Sequence, residues 1–327
     1  MMFIEKVGVV GAGTMGAAIA EVMALNGHEV VLKDVKEEYV KQGMSRIRSI
    51  LDELVDYHAN KADNAIEKVE SDYGISLTDE QKEHIRAAKS PTYDKERADQ
   101  VFDRIHPTTS YEDFEDVDLV IEAVVEDLNI KQQVFGDLEK HTERHVPLAT
   151  NTSVLSISQI AAGTEDRRQK VLGMHFFNPP YQMPLVEVVP GLETHQSVTE
   201  GVVSFLEEKR NHRYPMRPVV VKESPGFVVN RILGRAMAEA FLIYEEEVAS
   251  PRAIDQAVRE GLGWPMGPLE LADMVGIDVI NHVMEGLDEM GATGHQREPQ
   301  IIKKLVALGR LGKKSGRGFY DYTQEAY

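Results

Sequence analysis

A histidine and a glutamate in two successive apolar runs have the spacing expected of an acid–base pair. His175 lies near the end of "KVLGMHFF", just before an "NPP" that must end a strand, and Glu187 follows twelve residues later in "PLVEVV". A carboxylate in an apolar run is costly to bury without a partner. If the two strands are neighbours, Glu187 can accept a hydrogen bond from one imidazole nitrogen and leave the other facing a cleft. The alternative is a core histidine with one structural hydrogen bond.

Such a pair is suited to the oxidation of an alcohol by a nicotinamide cofactor. When the carbinol carbon loses a hydride, its hydroxyl proton needs an acceptor. An imidazole that titrates near neutral pH can take this proton and return it in the reverse reaction. The pair therefore predicts a general base with an orienting acid.

A glycine pattern typical of dinucleotide binding lies at the start of the chain. In "VGVVGAGTMG", Gly11, Gly13 and Gly16 follow a strand and open a helix. The first permits a tight turn, the second lets a pyrophosphate approach, and the third lets helix and strand pack closely. Asp34, eighteen residues after Gly16, ends the second strand, where an acid binds the ribose and repels the 2′-phosphate of NADP. We predict NAD as the cofactor. The alternatives are a turn without a ligand or an FAD site, although nothing later resembles a flavin domain.

The first half of the chain alternates short apolar runs with helical patterns. This order predicts βαβ units and a parallel sheet with helices on both faces. Residues 52–104 interrupt it with polar, charged helical stretches, and Thr78 with Gln81 three residues later predicts a capped helix start. We interpret this segment as an exposed helical excursion from the sheet.

A change of pattern predicts a second domain. Three prolines fall between residues 211 and 225, and beyond them apolar residues recur at helical spacing. We predict an α/β fold in which residues 1–216 form an N-terminal Rossmann-type doubly wound sheet and residues 217–327 an all-helical dimerisation domain. The first long helix of that domain is apolar over most of its surface, which is typical of a subunit interface.

Composition excludes several functions. The chain has no cysteine, so disulfides and thiol catalysis are excluded. Its net charge of -18 argues against nucleic-acid or anionic-membrane partners. The start has no basic segment and no window reaches about 18 unbroken apolar residues, so we expect a cytoplasmic protein without a signal peptide or membrane span. His141 and His145 have helical spacing but no evident third ligand, so we predict no metal.

Eight segments, in order, resemble the L-3-hydroxyacyl-CoA dehydrogenase family. They are "GAGTMG", "DLVIEAVVED", "NTSVLSIS", "HFFNPP", "PLVEVV", "ESPGFVVNRIL", "GWPMGPLELAD" and "GKKSGRGFYDY". The resemblance implies a Rossmann-type domain, a helical domain that forms a homodimer, and a cleft where NAD and acyl-CoA meet. The implied reaction is reversible oxidation of L-3-hydroxyacyl-CoA to 3-oxoacyl-CoA.

The resemblance also implies roles for individual residues. It makes His175 the general acid/base and Glu187 its partner, while Ser153 and Asn230 hydrogen-bond the substrate oxygen. The implied cofactor-binding residues are Gly11, Gly13, Thr14, Met15, Gly16, Asp34, Glu126, Lys131, Ser153, Asn178 and Lys314. Five of these side chains have a simpler interpretation. Ser153 could cap the following helix and Asn230 could make a structural hydrogen bond. Glu126, Lys131 and Lys314 could be surface charges.

Two departures from the family keep other functions open. In residues 53–105 the family has a helical pair with a basic contact to CoA, whereas this segment is longer and rich in acids. "NPPYQMPLVEVVPGLET" also resembles the L-gulonate 3-dehydrogenase and lambda-crystallin group, so dehydrogenation of a free hydroxy or sugar acid is the second hypothesis. A non-catalytic NAD-binding structural protein is the third, and the intact set of candidate catalytic residues disfavours it.

Overall fold

The chain forms two compact units. In the computed structural model, which describes residues 2–89, 92–289 and 299–323, the units are Met1–Lys222 and Glu223–Tyr327. The division falls after Lys222 rather than after residue 216, because Arg217–Val220 forms the last strand of the first unit's sheet.

The first unit is built on an eight-stranded sheet. Its strands are β1 (Lys6–Val10), β2 (Glu29–Lys33), β3 (Ile105–Thr108), β4 (Leu119–Glu122), β5 (Leu148–Thr150), β6 (Val171–Phe176), β7 (Leu185–Pro190) and β8 (Arg217–Val220). Their order across the sheet is β3-β2-β1-β4-β5-β6-β7-β8. The first six strands in this order run parallel to one another. Strand β7 is antiparallel to β6, and β8 is parallel to β7. The predicted doubly wound sheet is confirmed.

Helices connect the strands, and most of them bury apolar side chains in the first unit. They are α1 (Thr14–Leu25), α2 (Glu37–Tyr73), α3 (Asp79–Ala88), α4 (Lys95–Asp103), α5 (Leu128–His141), α6 (Ile157–Ala161) and α7 (Gln196–Glu207). Short 3-10 turns lie at Glu112–Phe114 and Arg168–Lys170. All four residues of β4 are buried, as expected for a strand covered on both faces.

The predicted helical excursion continues a helix whose first turns belong to the core of the first unit. Helix α2 runs unbroken from Glu37 for 37 residues, through the predicted start of the excursion at residue 52. Gly43 lets its first turns approach the glycine loop, since a Cβ there would lie 2.7 Å from the Cβ of Ala12. Helix α3 has no buried residue, and the predicted capping box between Thr78 and Gln81 is confirmed.

The second unit is helical, as predicted. It contains α8 (Val229–Glu245), α9 (Pro251–Leu262), α10 (Pro268–Val275), α11 (Ile277–Glu289), α12 (Gln300–Ala307) and a 3-10 turn at Lys313–Ser315. A buried aspartate, Asp273, accepts hydrogen bonds from the backbone N–H groups of Phe319 and Tyr320 at 2.8 and 2.9 Å. A second, Asp255, accepts one from the Tyr320 hydroxyl at 2.5 Å. These bonds fasten the "GFYDY" segment to the helices. Among the described residues, no helix is long and apolar enough to cross a membrane.

Candidate active site

The carboxyl edge of the parallel strands collects most of the predicted site residues. They are Gly11–Gly16 after β1, Asp34 after β2, Glu126 after β4, Ser153 after β5 and His175 near the end of β6. Parallel strands place their carboxyl ends on one edge, and the strand order reverses between β1 and β4. Ligands of open α/β sheets bind at such a reversal.

The three glycines of the loop differ in how much space the structure leaves for a side chain. Gly11 has φ +103°, and a Cβ there would lie 2.5 Å from the carbonyl oxygen of Ala123. A Cβ on Gly16 would overlap the carbonyl oxygen of Gly11. A Cβ on Gly13, however, would meet nothing within 4 Å. The first and third glycines are therefore required by the protein's own packing, whereas the space beside Gly13 fits a group from outside the chain, such as a pyrophosphate at the start of α1.

Asp34 lies against this loop, where the sequence predicts the ribose-binding acid. One oxygen of its carboxylate accepts a hydrogen bond from the Ala12 N–H at 2.8 Å, and the other accepts one from the Val35 N–H at 2.7 Å. The carboxylate is thus held beside the glycine loop by two backbone donors.

A buried ion pair that the sequence analysis missed lies behind the loop after β4. Glu122, fully buried, accepts a hydrogen bond at 2.6 Å from the Lys131 ammonium, which is 1% exposed. Glu122 also accepts hydrogen bonds from the Val124 N–H and the Thr150 hydroxyl, each at 2.7 Å. Glu122 ends an apolar strand, in "DLVIE", and so carries the same signal as Glu187: the sequence could have revealed that this carboxylate needs a partner.

This ion pair places the Lys131 side chain in the protein interior. Its burial excludes a plain surface charge, and its ammonium also lies 3.3 Å from the Glu126 carboxylate. Glu126 in turn accepts hydrogen bonds from the Ser153 N–H at 3.1 Å and from the Thr152 hydroxyl. Lys131 therefore holds Glu126, and Glu126 holds the loop that carries Ser153.

Ser153 does not cap the helix that follows it. The cap of α6 is Ser156, whose hydroxyl accepts from the Gln159 N–H at 3.1 Å. The Ser153 loop is tied to the end of β6 instead, because the Asn151 side chain accepts a hydrogen bond from the Phe176 N–H at 2.8 Å.

His175 and Glu187 face each other across β6 and β7. They are paired residues in the antiparallel register, and His175 Nδ1 lies 2.8 Å from a Glu187 carboxylate oxygen. Since a carboxylate only accepts, the imidazole donates through Nδ1. Both side chains are buried, at 7% and 2% exposure, and the Phe177 ring packs 4.6 Å from the imidazole ring. The predicted pairing of the two side chains is confirmed.

Three predicted residues remain, one in the first unit and two in the second. Asn178 is exposed and precedes a cis peptide bond to Pro179. Asn230 and Lys314 belong to the second unit, in the first turn of α8 and in the 3-10 turn, so their contacts with substrate and cofactor stay predictions. Lys314 forms a 2.6 Å ion pair with Asp278 and holds the pKa of that carboxyl below its ordinary value. The described residues contain no group of three potential metal ligands.

Two family models together match almost the whole chain. The family model described as 3-hydroxyacyl-CoA dehydrogenase, NAD binding domain, matches residues 6–78 and 75–224, and the model of the C-terminal domain matches residues 226–322. A Rossmann-type sheet with this glycine loop and the His175–Glu187 pair defines an NAD-dependent oxidoreductase. The chain belongs to the 3-hydroxyacyl-CoA dehydrogenase family.

Individual relatives match over nearly the full length. A 3-hydroxybutyryl-CoA dehydrogenase of Clostridioides difficile is 39% identical, over 98% of this chain and 100% of the relative. The human mitochondrial hydroxyacyl-coenzyme A dehydrogenase is 37% identical, over 98% and 92%. The crystal structure of an (S)-3-hydroxybutyryl-CoA dehydrogenase from Ralstonia eutropha is similar with a TM-score of 0.82 and 35% identity, over 98% of this chain and 100% of that one.

Proposed function

We propose that the chain catalyses the reversible NAD-dependent oxidation of L-3-hydroxyacyl-CoA to 3-oxoacyl-CoA. The observation that carries this proposal is the buried hydrogen bond between His175 and Glu187, at the carboxyl edge of an NAD-binding sheet. Family membership and relatives named for hydroxybutyryl-CoA and hydroxyacyl-CoA support a thioester as the substrate.

The protein's own groups move the proton. When bound, NAD⁺ supplies the hydride acceptor for the carbinol carbon. His175 takes the hydroxyl proton at Nε2, because Nδ1 is engaged with Glu187, and the O–H bonding electrons become the second bond of the ketone. The Glu187 carboxylate offsets the positive charge that the imidazole gains. General-base help of this kind contributes about 10²–10⁴ in rate.

Other residues hold the reactants. The space beside Gly13 would take the pyrophosphate, and Asp34 the ribose hydroxyls. Ser153 and Asn230 would hydrogen-bond the substrate oxygen, and Asn178 and Lys314 would contact the cofactor. Glu126 would contact the cofactor, and the ion pair with Lys131 would hold its carboxylate in place.

We also propose a homodimer formed through the second unit. In helix α8, Ile232 is 63% exposed, and Val228, just before the helix, is 47% exposed. Exposed apolar side chains at the start of a helix and one turn into it are typical of a subunit interface. Light scattering on the purified protein should give twice the chain mass, and a monomer mass would contradict this.

A substrate panel tests the proposed reaction. Absorbance of NADH is followed with acetoacetyl-CoA for reduction, and NADH formation is followed with L-gulonate and free 3-hydroxybutyrate. We expect turnover of the thioester. Turnover only of a free acid would assign the chain to the sugar-acid branch, and NADH binding without any turnover would favour a structural role.

A further inference from the structure

A small hairpin joins the cofactor-binding helix to the loop between the two catalytic strands. The hairpin comprises residues 209–216 and is closed by hydrogen bonds from the Met216 N–H to the Lys209 carbonyl at 2.8 Å and from the Asn211 N–H to the Tyr214 carbonyl at 2.9 Å. The loop comprises residues 177–184 and connects β6, which carries His175, to β7, which carries Glu187.

The hairpin is fastened to α1 through a second histidine–glutamate pair, in which the carboxylate is buried. His212 Nε2 lies 2.9 Å from a carboxylate oxygen of Glu21, whose side chain is fully buried. The other oxygen of Glu21 has no hydrogen-bond partner among the described residues. Within the part of the chain that the structure describes, His212 is therefore the hydrogen-bond partner of this buried carboxylate. The Asn26 side chain adds two bonds to the backbone of Arg210, at 2.8 and 3.0 Å.

The same hairpin holds the 177–184 loop. The backbone N–H of His212 donates to the Tyr181 carbonyl at 3.1 Å, and the rings of these two residues pack 5.2 Å apart. The Asn211 side chain, which is buried, donates to the Pro180 carbonyl at 3.3 Å. The hairpin thus contacts α1 on one side and the loop on the other.

We propose that Glu21 and His212 are positioning residues for catalysis. This inference rests on the proposed function. Their pair fixes the hairpin, and the hairpin fixes the loop whose first residues are Phe177, packed on the His175 ring, and Asn178. A buried carboxylate that loses its single partner must be rehydrated, which displaces the elements around it. Displacement of a catalytic group by about 1 Å costs up to about 10²-fold in rate.

The test separates positioning from cofactor binding. We expect His212→Leu to lower kcat for acetoacetyl-CoA reduction about tenfold or more. The Kd of NADH, from fluorescence titration, should stay within about twofold of wild type, because Glu21 lies about two helical turns beyond Thr14, where α1 and the glycine loop meet. His212→Gln, whose amide can still donate to Glu21, should recover most of the kcat. The matched control is His106→Leu, which removes a surface pair with Glu29 of 2.7 Å, and it should leave both values unchanged.

A second measurement does not depend on activity. Amide hydrogen exchange of residues 177–184 should be faster in His212→Leu than in wild type or His106→Leu. If His212→Leu fails to fold, Glu21→Leu/His212→Leu removes the buried charge with its partner and should show the same faster exchange and lower kcat. Wild-type kcat, unchanged exchange, or an equal loss of NADH affinity would overturn the proposal. If the wild-type chain turned over no acyl-CoA, the proposed function would fail, while the exchange data would still show whether the pair of Glu21 and His212 fixes the 177–184 loop.

Discussion

At the scale of single residues, the charge of Asp34 is expected to decide between NAD and NADP. Asp34→Asn keeps an oxygen that can accept from the Ala12 N–H but removes the charge that repels a 2′-phosphate. We expect the ratio of kcat/KM for NADP over NAD to rise about tenfold. Steady-state kinetics with both cofactors measure this ratio.

The control for this prediction removes a carboxylate far from the loop. Asp116→Asn breaks a surface ion pair with Lys6, which lies at the amino end of β1, and should leave the cofactor ratio unchanged. An unchanged ratio in Asp34→Asn would mean that another residue binds the ribose.

Buried charge explains which site residues the sequence could and could not reveal. Glu187 in an apolar run predicted a partner, and the structure supplies His175. Glu122 carries the same signal, but the helix packing that brings Lys131 to it is not encoded by any local pattern. A local pattern thus marks a group that needs a partner, while the choice of partner depends on tertiary contacts.

At the scale of elements, two glycines of one loop should respond differently to the same substitution. Gly13→Ala adds a methyl group to open space, so the free energy of unfolding should not fall, while the Kd of NADH should rise about tenfold. Gly16→Ala overlaps the Gly11 carbonyl and should lower the free energy of unfolding by about 1–3 kcal/mol. Urea denaturation and NADH titration of both variants separate the effects. Equal loss of stability in the two would contradict the assigned roles.

The packing of α5 on β4 depends on its buried ion pair. Lys131→Met leaves the Glu122 carboxylate buried without its cation, which should lower the free energy of unfolding by about 3–5 kcal/mol. Lys140→Met on the same helix removes an exposed pair with Asp137 and should change it by less than about 0.5 kcal/mol. Urea denaturation of the two variants makes the comparison, and a similar small loss in both would show that the buried pair adds no stability.

The elements that the sequence did not predict share a physical reason. The central strands were recognisable from their apolar runs, but β3 and β8 were missed. Each contains a proline, Pro107 or Pro218, and each lies at an edge of the sheet. Proline is tolerated on edge strands because one side of the strand needs no donor, yet it weakens the sequence signal of a strand. The missed β8 also explains why the sequence placed the domain boundary too early.

At the scale of the whole molecule, stability should fall in mild acid through His28. This residue is 6% exposed, and its ring packs 5.3 Å from the ring of Phe205. Burial, and then the nearby Lys209 ammonium, lower the pKa of His28 below its ordinary value of 6.5. Below that pH the unfolded chain binds a proton that the folded chain does not. The contribution of His28 to stability is therefore complete above the unfolded pKa and is lost as the pH falls towards the folded pKa.

A pH series of unfolding experiments tests this. Between about pH 7.5 and 5, the wild-type free energy of unfolding should fall more steeply than that of His28→Phe, by up to about 1.4 kcal/mol per pH unit. Parallel curves for the two proteins would show that His28 does not titrate on unfolding.

The most direct test of the account is the turnover of His175→Gln. The variant keeps a polar side chain opposite Glu187, but its amide cannot act as a general base. We predict that kcat for acetoacetyl-CoA reduction falls by about 10²–10⁴ while the Kd of NADH is unchanged. Near-normal turnover in this variant would contradict the assignment of His175 as the acid/base.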